Sequence, residues 1–302
     1  MTQENAFDLA KAVLLASPFV PYQFLEKHAS GPIADAFMFF GPRSRGKLGQ
    51  SYLNITSYAE TVTQEGQDPK PFVRNLVRRL MANDFRSGRI ISHPADPQSY
   101  RQFGHLEVDD AAKPYVDGDK GKFMALSIHG ESDFDGLPKA EEIFNAKGIP
   151  RKVVIAIGPQ HPFVEKKLND ALGKKGIEIA STKQLIKFYG KCQEAIQQNG
   201  GIVLHPDKNT DSEGYTVALL GKETVFPPLI FRLAKKHNLT TIPFFTFLDG
   251  NGFVCVRIDT PIPPNEPQVI AQRFAESVEI LCRAHPDQVF GFMEKELREV
   301  RR

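Results

Sequence analysis

The second half of the chain alternates between short apolar runs and amphipathic segments. Four runs of strand length, HLEVDD, KFMALSIH, RKVVIAIG and GIVLHPD, lie between residues 105 and 207. The segments around the later runs, PKAEEIFNAKG, HPFVEKKLNDALGKKG and STKQLIKFYGKCQEAIQQNG, have the spacing of apolar and polar residues that is typical of helices. Strands that alternate with helices predict an α/β fold in which helices cover the faces of a sheet.

The last part of the chain continues this pattern. TVALLG predicts a strand, and FPPLIFRLAKKHN predicts a helix. TIPFFTFL and FVCVRID predict two strands joined by a hairpin around Asp249 to Gly252, and EPQVIAQRFAESVEILCRAHP predicts a final helix. We therefore expect a single α/β domain with a mixed, largely covered central sheet flanked by helices.

The N-terminal part is predicted to be helical, from Asn5 to about Met81. A long helix is expected from Pro71, because PFVRNLVRRLMANDF carries apolar residues on one face. The predicted helix boundaries fall at prolines and glycines, namely Pro18, Pro21, Gly31 with Pro32, and Gly41 with Pro42. We divide the chain into a helical N-terminal region, residues 1–100, and an α/β core, residues 101–302.

Composition narrows the possible classes of protein. The chain has 302 residues, of which 41% are hydrophobic and 25% charged, as in an ordinary folded protein. The net charge of only +2 argues against a general nucleic-acid binder. The three cysteines, Cys192, Cys255 and Cys282, lack the spacing of a metal site, so buried reduced thiols are expected. No secretory signal is expected, because MTQENAFD has no basic segment before its apolar run.

The apolar stretch near the N-terminus is too short to cross a membrane as one helix. It is uninterrupted only from Ala12 to Ala16, whereas a span requires about 20 residues. Phe7, Ala10 and Val13 recur at helical spacing. Two interpretations stay open: the segment packs on the core, or it lies in a membrane interface.

The first candidate for chemistry is His129, where the apolar run of KFMALSIHGESDFDG ends. Asp133 and Asp135 follow shortly after it. A carboxylate that holds the imidazole in one tautomer makes the other ring nitrogen a general base. The alternatives are a surface or capping histidine, or a metal ligand. No second histidine at ligand spacing supports a metal site here, and none is predicted.

A second candidate segment is GGIVLHPDKN, where a strand ends in His205, Pro206 and Asp207. Asp207 and Lys208 have two possible roles, binding a polar head group or anchoring the loop through an Asx-turn. In α/β sheets, ligands bind outside the carboxyl ends of the strands. Both His129 and Asp207 are expected at this edge.

The order of the motifs resembles the bacterial lipid A biosynthesis acyltransferase family, of lauroyl and myristoyl type, within the lysophospholipid acyltransferase superfamily. KFMALSIHG is similar to the strand that ends in the catalytic histidine of that family, and GGIVLHPDKN to the strand that ends in a Pro-Asp pair. The resemblance covers roughly residues 105–295. It continues, in order, through GIPRKVVIAIGPQHPFVEKKL, EGYTVALLGKETVFPPLIFRLAKK, TTIPFFTFL and RAHPDQVFGF.

The resemblance implies transfer of an acyl group from an acyl carrier protein or coenzyme A thioester to a hydroxyl of an anionic membrane lipid, such as a lipid A precursor, without a cofactor. It assigns the base to His129 and the Pro-Asp position to Asp207. Lys174 and Lys175, together with Lys208, are the expected substrate-binding cations; the first two stand where the family usually has arginine. It also implies a peripheral enzyme on the cytoplasmic face of the bacterial inner membrane.

The sequence departs from the family pattern at the acid that should follow the histidine. Four residues separate base and acid in the family motif, and that position here is Phe134. Asp133 comes one residue early and Asp135 one late, so the acid that pairs with His129 stays open between them. The family's transmembrane anchor is not evident either. Two alternatives remain: aminoacyl transfer, such as glycine from a carrier protein to lipid A, and a non-catalytic lipid- or carrier-binding protein.

Overall fold

The structure is a computed structural model. It describes residues 28–44, 47–64, 66–92, 101–130, 135–136, 143, 152–157, 166, 169–170, 172–173, 176–181, 185–207, 213–290 and 297. The apolar stretch at Ala12–Ala16 and the breaks at Pro18 and Pro21 lie outside these residues.

Three helices, α1 to α3, precede the first strand of the described chain. The α-helices are α1 (Ser30–Phe40), α2 (Lys47–Val62), α3 (Lys70–Ser92), α4 (Lys113–Val116), α5 (Leu185–Gln197), α6 (Pro228–Lys236) and α7 (Pro267–Ala284). The strands are β1 (Phe103–Val108), β2 (Phe123–Leu126), β3 (Val153–Ile157), β4 (Ile177–Ser181), β5 (Gly201–Leu204), β6 (Tyr215–Leu219), β7 (Lys222–Phe226), β8 (Thr240–Leu248) and β9 (Val254–Ile258).

Helix α3 begins where the apolar spacing predicted a long helix. Its buried face includes Val73, Leu76, Val77 and Met81, which recur at helical spacing. The predicted boundary at Gly41 with Pro42 is also present, since α1 ends at Phe40 and a short 3-10 turn, Gly41–Arg43, follows.

The central sheet has seven strands in the order β1-β9-β8-β2-β5-β3-β4. Among the described strands of this sheet, only the β8–β9 pair is antiparallel, and the other neighbouring pairs are parallel. The mixed α/β sheet predicted from the sequence is therefore confirmed. The hairpin predicted around Asp249 to Gly252 is the antiparallel β8–β9 pair.

The strands β6 and β7 form a separate two-stranded sheet, of which only β6 was predicted. TVALLG forms β6, but the following KETVF forms β7, a strand that we missed. Its burial is partial and its residues are half polar, so the periodicity of apolar residues is weak there. The hairpin is held on α7, where the Gln272 side chain exchanges two hydrogen bonds with the backbone of Ala218.

Both faces of the sheet are covered, and β2 shows this in four residues. Phe123 and Ala125 belong to the hydrophobic cluster on one face, and Met124 and Leu126 to the cluster on the other. All four are fully buried. Burying a side chain of the size of Met or Phe contributes about 1.5–3 kcal/mol, so this strand is fixed firmly in the middle of the sheet.

None of the helices in the described ranges is both long enough and apolar enough to cross a membrane. The three cysteines are free thiols and all are buried, as predicted.

Candidate functional site

The candidate site lies beyond the carboxyl ends of β2 and β5, which are neighbours in the sheet. The two strands run parallel, with Leu126 opposite Leu204 at the end of the paired segment. One further hydrogen bond, from the Ser127 N–H to the Leu204 carbonyl at 3.0 Å, continues the pairing. His129 and Asp207 each lie three residues beyond the last pair, so the shared register brings them together.

Asp207 binds both the backbone and the ring of His129. Its Oδ2 accepts the His129 backbone N–H at 2.6 Å. His129 Nδ1 lies 2.8 Å from Oδ1 and 2.9 Å from Oδ2 of the same carboxylate. An ionised carboxylate only accepts hydrogen bonds, so Nδ1 carries the proton and Nε2 keeps its lone pair. The arrangement therefore fixes the tautomer that a general base needs.

The electrostatics of the pair keep Asp207 charged. Burial of the Asp207 carboxyl raises its pKa, but electrostatic attraction to the His129 ring, the hydrogen bonds from His129 and attraction to the His205 ring together hold that pKa well below its usual range. The His205 ring lies 4.7 Å from the His129 ring, centroid to centroid. A buried anion beside the imidazole stabilises the imidazolium that forms when the base takes a proton.

Only the histidine of this pair is accessible. The Asp207 side chain is 3% exposed, whereas that of His129 is 35% exposed. The carboxylate is therefore placed to orient the ring, and the imidazole is placed to meet a substrate. This is the geometry of a general base with an orienting acid.

The C-terminal segment holds the His129 backbone from the other side. The Phe290 N–H donates to the His129 carbonyl at 2.8 Å, and Gly130 forms an antiparallel bridge with Val289. Just before them, the buried Gln288 amide accepts from the Leu248 N–H at 2.6 Å and donates to the Leu248 carbonyl at 2.9 Å. The Pro-Asp-Gln motif thus ties the end of β8 to the loop that carries the histidine.

The N-terminal helices hold the same motif. The Tyr58 hydroxyl of α2 donates to the Pro286 carbonyl at 2.9 Å, and Arg79 of α3 forms an ion pair with Asp287. The helical region and the site are therefore connected through residues 286–290.

Asp135, one of the two acids expected to pair with His129, is placed elsewhere. Its buried carboxylate lies 3.2 Å from Arg86 Nε and 3.2 Å from Arg101 Nη1, and it accepts the Arg101 backbone N–H at 2.7 Å. Two guanidinium groups hold a carboxylate more strongly than a neutral histidine does, which is the physical reason for this placement. The structure therefore corrects the expected Asp135–His129 contact, and among the described residues the acid on the histidine is Asp207.

The other expected site residues, Asp133, Lys174, Lys175 and Lys208, lie outside the described residues. Asp207 itself was expected to bind substrate or anchor its loop. One signal in the sequence points to the contact between Asp207 and His129: each of the two residues closely follows an apolar run, so both are expected at the carboxyl edge of the sheet. The sequence did not show that the two strands, β2 and β5, are adjacent.

One group of described side chains has ligand atoms close enough together to hold a metal ion. It consists of His105, Asp249 and Cys255, near the end of β8, and does not include His129 or Asp207.

Part of the chain matches a known family. Residues 158–296 match the model of a family described as bacterial lipid A biosynthesis acyltransferase. The matched segment includes Asp207 and the Pro-Asp-Gln motif, and it begins after His129. No curated protein matches the sequence.

Proposed function

We propose that the chain is a member of the bacterial lipid A biosynthesis acyltransferase family, whose model matches residues 158–296, and that it transfers an acyl group to a lipid hydroxyl with His129 as general base. The observation that carries the proposal is the contact between His129 and the buried carboxylate of Asp207, which lies inside the matched segment.

In the proposed reaction, Nε2 of His129 removes the proton from the acceptor hydroxyl as its oxygen attacks the thioester carbonyl carbon. The new C–O bond forms, and the negative charge moves to the carbonyl oxygen. When that tetrahedral intermediate collapses, the C–S bond breaks and the departing sulfur takes the proton from the imidazolium. The products are an ester and a thiol, and the histidine returns to its starting state.

Asp207 supports both proton transfers without touching the substrate. Its hydrogen bonds to Nδ1 hold the ring in position, and its negative charge offsets the positive charge of the imidazolium. The pKa of Asp207, which is held well below its usual range, keeps it ionised at neutral pH. Asp207 is therefore a positioning residue in this proposal.

We propose an acyl carrier protein or coenzyme A thioester as the donor, and an anionic membrane lipid such as a lipid A precursor as the acceptor, at the cytoplasmic face of the bacterial inner membrane. The description of the matched family, lipid A biosynthesis, supports a lipid as the acceptor. The surface offers two exposed aromatic rings on α1, Phe39 at 57% and Phe40 at 47%, with the Arg43 guanidinium 4.4 Å from the Phe39 ring centroid. Exposed aromatic rings beside a cation are suited to a peripheral contact with anionic lipid.

The test is to incubate purified protein with lipid acceptors and a panel of carrier-bound and coenzyme A donors, and to measure the mass added to the lipid. A long acyl chain supports the proposal, whereas a mass gain of one amino acid would replace it with aminoacyl transfer. His129→Ala should lower the rate by at least about 10²-fold, because the general base is lost.

His237→Ala is the matched control. His237 caps the end of α6, which leads into the start of β8. Because β8 runs parallel to β2, His237 lies near the amino ends of these strands, whereas His129 lies beyond the carboxyl end of β2. The control should keep the wild-type rate. Absence of product with every donor, or full activity in His129→Ala, would contradict the proposal.

A further inference from the structure

A second cluster of ionisable side chains lies at the outer edge of the sheet, where β1 pairs with β9. The parallel register of these strands places Phe103 opposite Val254 and Leu106 opposite Val256, with an irregularity between the two pairs. As a result His105 lies beside Cys255, and His105 Nδ1 is 3.1 Å from the Cys255 sulfur. This contact joins the edge strand to β9.

Asp249 completes the cluster from the turn between β8 and β9. Its Oδ1 accepts the backbone N–H groups of Asn251 at 2.8 Å and Phe253 at 2.9 Å, which fixes the carboxylate in place. One ligand atom from each of His105, Asp249 and Cys255 lies within 4.8 Å of the other two. Nitrogen, sulfur and oxygen donors from β1, β9 and the β8–β9 turn thus converge on one point.

Glu107 prepares His105 to act as a ligand through Nδ1. The Glu107 carboxylate lies 2.9 Å from His105 Nε2, and because a carboxylate only accepts hydrogen bonds, Nε2 carries the proton and donates. Nδ1 therefore presents its lone pair to the cluster. A carboxylate behind a histidine in this way is the arrangement that orients metal-binding imidazoles.

We propose that His105 Nδ1, Cys255 Sγ and a carboxylate oxygen of Asp249 bind one Zn²⁺ ion, with water as the fourth ligand. Mixed nitrogen, sulfur and oxygen donors suit zinc. Since the three atoms lie within 4.8 Å of one another, a point about 2.8 Å or less from all three exists between them. Zinc needs distances of about 2.0–2.3 Å, so each ligand has to move by less than about 1 Å.

The Cys255 sulfur is fully buried and lies against a ring nitrogen, so it faces the other two ligands and not solvent. A bound Zn²⁺ replaces the thiol proton: the Zn–S bond forms and the proton leaves to solvent.

Gly104 leaves room for this ion. A Cβ atom at that position would lie 3.2 Å from the Cys255 sulfur and 3.6 Å from Asp249 Oδ2. Any larger side chain would therefore enter the space between two of the ligands.

The ion would add a side-chain bridge to an edge strand. Residues Gly104 to Glu107 of β1 are exposed, and among the described strands β1 pairs with β9 alone. A metal bridge from β1 to Asp249 and Cys255 joins this strand to the β8–β9 hairpin. Zinc should therefore raise the thermal unfolding midpoint of the protein.

The experiment is a titration of the untagged, chelator-treated full chain with Co²⁺, which replaces zinc and reports thiolate binding through a near-ultraviolet charge-transfer band. We expect one Co²⁺ per chain with this band, displaced by Zn²⁺. His105→Ala should abolish the band, and its side chain is 48% exposed, so the variant should fold. Glu107→Gln should weaken metal affinity about 10–100-fold.

Cys192→Ser is the matched control, because Cys192 is also a buried free thiol but belongs to no such group among the described residues. It should keep the cobalt band, and zinc should still raise its unfolding midpoint. The proposal is wrong if wild type gives no thiolate band, or if His105→Ala gives the wild-type band. None of these readouts depends on acyl transfer, so they stand apart from the test of His129.

Discussion

Replacing Asp207 by asparagine tests whether this carboxylate orients the general base. The substitution keeps the shape of the side chain and removes its charge. One oxygen remains, and it can still accept the His129 backbone N–H, the shortest of the three contacts at 2.6 Å. The other position becomes an NH₂ group facing Nδ1, where wild type has carboxylate oxygens at 2.8 and 2.9 Å.

The NH₂ group is a donor, so it pairs with Nδ1 only when that nitrogen is unprotonated. The ring proton then resides on Nε2, the nitrogen that should accept the substrate proton, and the imidazolium loses its buried counter-charge. The corresponding substitution in a serine-protease triad lowers kcat about 10⁴-fold. We therefore expect a loss of about 10³–10⁴-fold in kcat, equivalent to about 4–5.5 kcal/mol.

KM should change little, because the Asp207 side chain is 3% exposed and does not reach the substrate. The assay is the initial rate of lipid product formation, by mass, over a range of donor concentrations, with circular dichroism to show that the variant is folded. A folded Asp207→Asn protein with kcat within about tenfold of wild type, beside an inactive His129→Ala protein, would refute the orienting role.

Two further predictions concern the buried carboxylates. Asp135→Asn should lower the free energy of unfolding, measured in urea, by about 3 kcal/mol, because it removes the anion that Arg86 and Arg101 share. The folded variant should keep its kcat. A loss of unfolding free energy below about 1 kcal/mol would contradict the stabilising role of Asp135. The pKa of Asp207 is lower in the folded than in the unfolded protein, so its contribution to stability is complete above the unfolded value of about 3.9 and is lost as pH falls through the folded value. Unfolding free energies measured on acidification should therefore fall more steeply for wild type than for Asp207→Asn, and parallel curves would count against the shift.

Much of the site could be predicted because it follows strand ends. The apolar runs before His129 and Asp207 are buried strands, and both residues were expected at the carboxyl edge of the sheet. The acid for His129 was sought nearby in the chain, at Asp133 or Asp135, because a sequence motif relates residues that are close in sequence. Among the described residues, the acid that contacts His129 is Asp207, 78 residues further on, and Asp133 lies outside them.

The positions of two arginines explain why Asp135 does not pair with His129. Arg86 lies in α3, and Arg101 precedes β1, and neither is close to Asp135 in sequence. Their convergence on one buried carboxylate depends on how the helical region packs against the core. No local pattern around His129 contains that information, so the competition for Asp135 was invisible in the sequence.

By itself, the sequence determined the α/β class, the buried strands, the long helix α3 and the histidine at a strand end. These features are local, because burial of alternating or helically spaced apolar residues depends mainly on near neighbours in the chain. The tertiary structure decided the strand order, and with it that β2 lies beside β5. Parallel neighbours are joined by long crossovers, so their adjacency and register come from packing over the whole sheet. That packing places Asp207 on His129, and it brings His105, Asp249 and Cys255 together at the outer edge.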